Sequence, residues 1–260
     1  MATPGPMKLD ASQMRAIEPI EERIRTAGRT LLFSRSTLEE MISEAGAEEL
    51  IWLDRLFLLE HQTREDGKVK RLTKRAKFPV VKSFEGYDFT DITFPADLSK
   101  SDLLDLTFMD RQENIVCLGP VGTGKTHLMI ALGMLACSKT REVRYFTATS
   151  LIACLGDAKA KGTLTSFMNG LSKADAIMID EFGYVPMDRD GARLLFQVIS
   201  EAYERQSLII TTNIDFSRWG AMLADDQMAS AIIDRIAHHG HLLLFEGESY
   251  RLRHALMRSR

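Results

Sequence analysis

The sequence predicts an α/β protein built on a parallel sheet. Three observations lead to this fold class. Short apolar runs typical of buried strands alternate along the chain with longer stretches typical of helices. A glycine-rich loop follows one of the apolar runs, and a pair of carboxylates follows another. Ligands of open parallel sheets bind where the strands end, so the sequence places a candidate site at the carboxyl edge of the sheet.

Five apolar runs are interpreted as the strands of this sheet. They are residues 115–118, 143–147, 176–179, 208–212 and 242–245. The stretches between them are predicted to hold one helix at 125–137, helices at 150–171, one helix at 190–206 and helices at 217–237. Such alternation indicates parallel strands joined by helical crossovers, with helices on both faces of the sheet. Residues 246–260 are too few to form a full C-terminal helical lid domain.

The glycine-rich loop has a recognisable spacing. Residues 119–126 read Gly-Pro-Val-Gly-Thr-Gly-Lys-Thr and match the phosphate-loop pattern GxxxxGK[ST]. Glycines let the backbone wrap around phosphate oxygens, and the next helix points its free N-terminal amides at them. Lys125 is expected to reach the β- and γ-phosphates of ATP, and Thr126 to coordinate Mg²⁺. The candidate nucleotide-binding residues are Gly119, Gly122, Thr123, Gly124, Lys125, Thr126 and His127.

The strand at 176–179 is followed by Asp180 and Glu181, which is a Walker B pattern. Asp180 is expected to hold Mg²⁺ together with Thr126. Glu181 is placed to orient and deprotonate the water that attacks the γ-phosphate. The predicted reaction is therefore hydrolysis of ATP rather than phosphoryl transfer to another substrate.

Three further side chains are candidates for the catalytic machinery. Asn213 follows the strand at 208–212, at the sensor 1 position of an AAA+ ATPase, where an amide can hydrogen-bond the attacking water. Arg235 is the candidate arginine finger, which would act on the nucleotide of a neighbouring subunit. The alternative for Arg235 is a surface pair with Asp234. Arg251 is a candidate sensor within the same subunit.

From Phe78 onwards, the chain resembles the IstB/DnaC-like AAA+ ATPases, and most closely the IstB-type helper ATPases of bacterial insertion sequences. Besides the motifs above, the resemblance rests on residues 84–89, 203–205, 233–239 and 247–253. Ala202 and Gln206 depart from the Arg and Gly that usually flank Tyr-Glu-Arg, and residues 1–50 match less well. The resemblance implies an AAA+ P-loop NTPase core that forms a homo-oligomer on duplex DNA, with ATP at the subunit interfaces. It also implies that the oligomer bends DNA and recruits or activates a transposase.

Two other functions remain open at this stage. A DnaC-like helicase loader would share the active site but would bind single-stranded DNA and a replicative helicase. A nucleotide-gated scaffold would organise partners through ATP binding, with hydrolysis incidental. The residue types at 238–239 and 249–253 resemble those of the IstB-type helpers, which favours the insertion-sequence function over the helicase loader.

The chain is expected to divide into a helical N-terminal domain, residues 1–77, and the ATPase domain, residues 78–260. Predicted N-terminal helices cover residues 13–27, a segment capped by Ser36, and residues 47–62. The third of these helices is rich in large apolar residues. These apolar side chains either pack within the N-terminal domain or on the ATPase core, or they form a docking surface for a partner or a neighbouring subunit.

Basic residues suggest where DNA would bind. The formal net charge is -3, so the whole molecule is not a generic polycation. One stretch without acids nevertheless carries six cations, and a second segment carries two lysines. The candidate DNA-binding residues are Lys68, Lys70, Arg71, Lys74, Arg75, Lys77, Lys159 and Lys161. The alternative is a solvated helix face.

The distribution of apolar residues predicts a cytoplasmic protein without a membrane segment. No apolar run approaches the ~20 residues that cross a bilayer, and the N-terminus has no signal-peptide core. Three scattered cysteines are expected to be reduced thiols. We expect no metal at His238, His239 and His241, because the sequence shows no second group of ligands beside them.

Overall fold

The computed structural model describes residues 11–184 and 187–250, with side chains from residue 20 onwards. It divides into two compact units, Met1–Lys70 and Arg71–Arg260. This division lies slightly before the boundary at residue 77 that the sequence suggested. Among the described residues, no helix is both long enough and apolar enough to cross a membrane.

The first unit is helical. It contains α1 (Ala11–Thr30), α2 (Arg35–Glu44) and the beginning of α3 (Ala47–Ala76). Its small core is formed by Ile24, Leu31, Leu38, Ile42, Leu50 and Phe57. Five other large apolar residues of α3 are exposed, namely Ile51, Trp52, Leu56, Leu58 and Leu59.

Two details of these helices differ from the sequence prediction. The N-cap of α2 is Ser34, whose side chain accepts a hydrogen bond from the Thr37 amide, so the predicted cap at Ser36 is wrong. Ser36 is the second residue of the helix, and a cap requires extended backbone, which Ser34 has. The third helix continues to Ala76 instead of ending at residue 62. Its second half is rich in lysine and arginine, which favour helix without being apolar.

The second unit is built on a six-stranded sheet. Its strands are β1 (Ile92–Thr93), β2 (Asn114–Leu118), β3 (Val143–Thr147), β4 (Ala176–Phe182), β5 (Ser207–Thr212) and β6 (Gly240–Phe245). Their order across the sheet is β1-β6-β2-β5-β4-β3. Helices α4 (Lys100–Asp105) and α5 (Thr107–Asp110) precede β2. The others are α6 (Lys125–Ser138), α7 (Ala148–Ala160), α8 (Leu164–Leu171), α9 (Arg189–Ala202), α10 (Trp219–Leu223) and α11 (Asp226–His238), with a 3-10 turn at Phe216–Arg218.

The α/β class is confirmed, but the predicted count of five strands is wrong. The five predicted strands are the parallel ones, β2 to β6. The sixth, β1, pairs antiparallel with β6 through Ile92 and Phe245. A strand of two residues is too short to show the alternation by which strands are recognised in a sequence.

The parallel strands read as continuous apolar runs because both faces of the sheet are covered. In β5, Leu208 and Ile210 belong to one hydrophobic cluster and Ile209 belongs to the other. Successive side chains of a strand point to opposite faces, so a sheet covered on both sides buries every one of them. On one face, the Phe182 and Trp219 rings are packed with centroids 4.3 Å apart.

Candidate nucleotide site

The phosphate loop joins β2 to α6 at the carboxyl edge of the sheet. The Gly119 amide donates to the Thr212 carbonyl at 3.2 Å, which attaches the start of the loop to β5. Both Gly119 and Gly122 have positive φ angles, 156° and 86°. A β-carbon at Gly119 would collide with the Phe245 carbonyl, and one at Gly122 would collide with Ser249. The loop therefore needs glycine for its conformation and for these close approaches.

Lys125 lies buried at the first position of α6. Its ammonium donates to the carbonyls of Gly119 and Pro120 at 2.8 and 2.6 Å. These carbonyls hold the positive charge inside the loop that the phosphates of a nucleotide would occupy. Phosphate oxygens can replace them as acceptors, as the phosphate-loop pattern predicts.

The Walker B carboxylate is surrounded by hydroxyl groups. Asp180 is only 2% exposed. Its Oδ1 accepts from Thr126 at 2.9 Å and also from Thr211, and its Oδ2 accepts from Tyr145 at 2.8 Å. The structure thus brings together Thr126 and Asp180, the two residues predicted to hold Mg²⁺. A carboxylate and a hydroxyl side by side are the hard oxygen ligands that this ion prefers.

The sequence did not single out Tyr145 and Thr211. They lie on β3 and β5, the two neighbours of β4 in the sheet. Burial raises the pKa of the Tyr145 phenol, and the Asp180 carboxylate raises it further. Tyr145 therefore keeps its proton and remains a hydrogen-bond donor to Asp180. Only the spatial order of the strands identifies these two partners, because nothing in the local pattern marks them.

Glu181 stands next to Asp180 but has the opposite environment. It is exposed, whereas Asp180 and Phe182 on either side are buried. Its φ is +57°, and the pairing of β4 with β5 shifts between Ile179 and Phe182. The Glu181 amide donates to the Thr211 hydroxyl at 3.0 Å, which holds the irregular backbone in place. A non-glycine residue with positive φ is strained, and such strain is often found at functional sites.

Asn213 is exposed immediately after β5. The last residue of that strand, Thr212, pairs with Leu118 of β2 and Phe182 of β4. Asn213 therefore leaves the sheet at the same edge as the phosphate loop and the Walker B carboxylates. This placement is compatible with the predicted sensor position.

The aromatic segment, residues 83–89, lies before the first strand and contacts the phosphate loop. The Tyr87 hydroxyl donates to the Gly124 carbonyl at 3.2 Å, and burial raises the pKa of this phenol. The His127 ring lies 4.9 Å from the Tyr87 ring, and its Nε2 is 2.8 Å from the Ser83 carbonyl. Thr123 donates to the Pro120 carbonyl at 2.8 Å. His127, one of the predicted nucleotide-binding residues, therefore contacts the aromatic segment through Tyr87 and Ser83.

Arg235 lies on α11 and is half-buried. It donates to the Ala231 carbonyl at 2.8 Å, and its guanidinium lies 5.0 Å from the centre of the Phe196 ring on α9. Among the described ion pairs, none joins Arg235 to Asp234. Arg251 lies outside the described residues. The residue before it, Tyr250, donates its amide to the Gly122 carbonyl at 3.0 Å, which places the end of the described chain on the phosphate loop.

All eight predicted DNA-binding residues are exposed. Two of them form ion pairs, Arg75 with Glu142 at 3.2 Å and Lys159 with Asp190 at 3.5 Å. Within the part of the chain that the structure describes, no ion pair includes Lys68, Lys70, Arg71, Lys74, Lys77 or Lys161. These six cations remain the better candidates for phosphate contacts.

The fold and the site together define a P-loop ATPase of the AAA+ class. Solved structures with a similar fold include AMPPCP-bound DnaA from Aquifex aeolicus, with a TM-score of 0.50 and 20% identity over 65% of this chain and 52% of that chain. They also include the DnaC helicase loader, with a TM-score of 0.50 and 21% identity over 63% of this chain and 96% of that one.

The chain belongs to the family of IstB-like ATP binding proteins, whose model matches residues 34–258. Among its curated relatives is the ATP-binding protein of insertion sequence IS21 from Pseudomonas aeruginosa, 38% identical over 83% of both chains. Another is the ATP-binding protein of insertion sequence IS5376 from Geobacillus stearothermophilus, 36% identical over 84% of this chain and 87% of the relative. The predicted family is confirmed, and with it the prediction of an ATP-binding AAA+ ATPase.

Proposed function

We propose that this protein is the ATP-dependent helper of a transposase. In this proposal it assembles on duplex DNA with ATP at the subunit interfaces, remodels the target site, and recruits or stimulates the transposase. It would act in the cytoplasm, where the DNA of a bacterial cell lies. The observation that carries the proposal is membership of a family whose relatives are ATP-binding proteins of insertion sequences.

The geometry of the site supports Mg²⁺-dependent hydrolysis. Thr126 and Asp180 would hold Mg²⁺, which neutralises charge on the β- and γ-phosphates when bound. Lys125 would exchange its two loop carbonyls for phosphate oxygens. Glu181, exposed beside the buried Asp180, would orient and deprotonate the attacking water, and Asn213 would hold that water from the next strand.

Assembly would complete the site. Arg235 is packed against Phe196 of its own subunit, so acting on a nucleotide requires it to leave this contact. A neighbouring subunit's nucleotide at this surface would offer phosphate oxygens as stronger partners than a neutral ring and a carbonyl. In the proposal, ATP thus joins subunits as well as supplying energy.

The helicase-loader alternative has the likeness to the DnaC fold in its favour. At 21% identity, this likeness concerns the fold alone. The two functions differ in the form of DNA that the protein binds, and a direct comparison can therefore separate them.

The test is equilibrium binding of the full chain to fluorescent duplex and single-stranded DNA of equal length. Each is measured with a non-hydrolysable ATP analogue, with ADP and without nucleotide. We expect tight binding only for duplex with the analogue, and loss of that binding in Lys125→Ala. Preference for single strands would favour the helicase loader, and absence of DNA binding in every nucleotide state would leave the nucleotide-gated scaffold.

A further inference from the structure

Three side chains of types that can bind metals converge on the surface at the end of α11. They are Glu204, in the turn between α9 and β5, and His238 and His239, where α11 ends. One ligand atom from each lies within 4.8 Å of the other two. His239 Nε2 is 3.0 Å from Glu204 Oε1, and the rings of His238 and His239 are 4.4 Å apart. The nucleotide site uses none of these residues.

We propose that Glu204, His238 and His239 form a binding site for one transition-metal ion of the Zn²⁺ type. Zn²⁺ binds imidazole nitrogen and carboxylate oxygen at about 2.0–2.2 Å, so ligand atoms around one ion lie roughly 3–4 Å apart. The upper bound of 4.8 Å on the observed separations is about 1 Å above that spacing. Two imidazoles favour Zn²⁺, Co²⁺ or Ni²⁺ over Mg²⁺, which prefers oxygen ligands.

The backbone on both sides of the site is held in place. Glu204 has a φ of +56°, and the amides of Arg205 and Gln206 that follow it both donate to the Ala202 carbonyl at 3.0 Å. Gln206 is buried and donates to the Leu171 carbonyl at 2.8 Å. On the other side, the His239 carbonyl accepts from the Asn114 amide at 2.6 Å. An ion would therefore join two fixed positions rather than two mobile loops.

A neighbouring phenol helps to orient one ligand. The Tyr203 hydroxyl lies 3.2 Å from His238 Nδ1. Metal-binding histidines usually have such an oxygen partner on their ring, which fixes its orientation. Three protein ligands at an exposed position leave the fourth place of a tetrahedral site to water or to a ligand from outside.

The position of the site suggests a structural effect. His238 lies one helical turn after Arg235 on α11. An ion bound to all three residues would join the end of α11 to the turn that follows α9. The surface of α11 that carries Arg235 would then be held more firmly than in the metal-free protein.

The experiment titrates ZnCl2 into the full, untagged chain by calorimetry, and repeats the titration with CoCl2 while visible absorption is recorded. All proteins carry Cys154→Ser, because Cys154 is an exposed thiol that could bind the same ions. Nucleotide is left out, and MgCl2 is in excess so that Mg²⁺ competes with the titrated ion for the oxygen ligands around Asp180. We expect one Zn²⁺ per chain and the intense visible absorption of four-coordinate Co²⁺.

Single substitutions then identify the ligands. His238→Asn, His239→Asn and Glu204→Gln should each weaken Zn²⁺ binding at least about tenfold, since even partners outside the ligand set contribute 10- to 100-fold. The matched control is His61→Asn, a partly exposed histidine that also faces a carboxylate, Glu65, at 3.5 Å. Circular dichroism verifies that each variant is folded. Stoichiometry far below one, or unchanged affinity in the three ligand variants, would overturn the proposal.

Discussion

At the scale of single residues, the site depends on a buried carboxylate held by three hydroxyl groups. Thr126, Tyr145 and Thr211 each donate to Asp180. A buried charged group without such donors is costly, and the hydroxyls also fix its direction. If Mg²⁺ binds here, one carboxylate oxygen would face the ion while the other keeps its hydroxyl donor. The hydroxyl partners of Asp180 therefore set the orientation in which the carboxylate would meet the ion.

We expect Tyr145→Phe to weaken Mg²⁺-dependent ATPase activity. The substitution removes one hydrogen bond to a charged group, which contributes about 1.5–3 kcal/mol. Part of this loss will appear as lower stability and the rest as a higher Mg²⁺ concentration for half-maximal activity, by up to about tenfold. The measurement is ATP turnover against MgCl2 concentration. Tyr184→Phe is the control, since Tyr184 is exposed, and an unchanged Mg²⁺ dependence in Tyr145→Phe would contradict the role of the phenol.

At the scale of elements, α3 carries most of the predicted DNA contacts. Lys74 and Arg75 follow Arg71 by three and four positions on this helix, which places both of them on the same side as Arg71. Arg75 is paired with Glu142, and Arg144 reinforces that pair by donating to the Arg75 carbonyl at 3.2 Å and contacting Glu142 at 2.9 Å. Arg75 therefore has a structural partner that the neighbouring cations lack among the described ion pairs.

Replacing Lys70, Arg71 and Lys74 by Gln should weaken duplex binding and reduce its dependence on salt. Each phosphate contact that is lost should flatten the log-log slope by about 0.9. The measurement is duplex affinity with the ATP analogue over a range of NaCl concentrations. A matched triple variant of exposed cations elsewhere, Arg29, Arg35 and Lys173, should keep the parental slope. If both triple variants behave alike, the α3 cations form a solvated surface.

The elements differ in how well the sequence predicted them, for physical reasons. The parallel strands are buried on both faces, so their continuous apolar runs are visible in the sequence. The full length of α3 was missed because its second half lacks the apolar stripe by which helices are recognised. Strand β1 was missed because it is only two residues long and depends on pairing with β6.

At the scale of the whole molecule, the motifs of the site could be predicted but their surroundings could not. Lys125, Thr126, Asp180 and Glu181 belong to short patterns with fixed chemistry. Tyr145 reaches Asp180 from another strand, and Glu204 meets His239 across 35 positions of the chain. Such pairs depend on topology. For this reason the sequence showed no further candidate ligand beside the histidines, whereas the structure places the Glu204 carboxylate next to them.

In the proposed function, contacts between subunits complete the ATPase site, and substitution of Arg235 tests this part of the proposal. Arg235→Ala should keep ATP binding but reduce turnover by about 10³-fold or more, as expected for loss of an arginine finger. It should also lose cooperative assembly on duplex DNA. The measurements are nucleotide affinity, ATPase rate and sedimentation velocity with DNA. Arg193→Ala, an exposed arginine of α9, is the control; normal ATP hydrolysis by Arg235→Ala would refute its assignment.

The packing of Phe182 on Trp219 gives this protein an optical reporter of its own. Trp219 is fully buried, its ring is in contact with the residue that follows Glu181, and the chain has only two tryptophans. The other, Trp52, is 65% exposed on α3. In a Trp52→Phe variant, the only tryptophan fluorescence would therefore come from Trp219, which packs against β4, the strand that carries Asp180 and Glu181. Its intrinsic fluorescence would follow rearrangement of that strand in real time as nucleotide binds, without any attached dye.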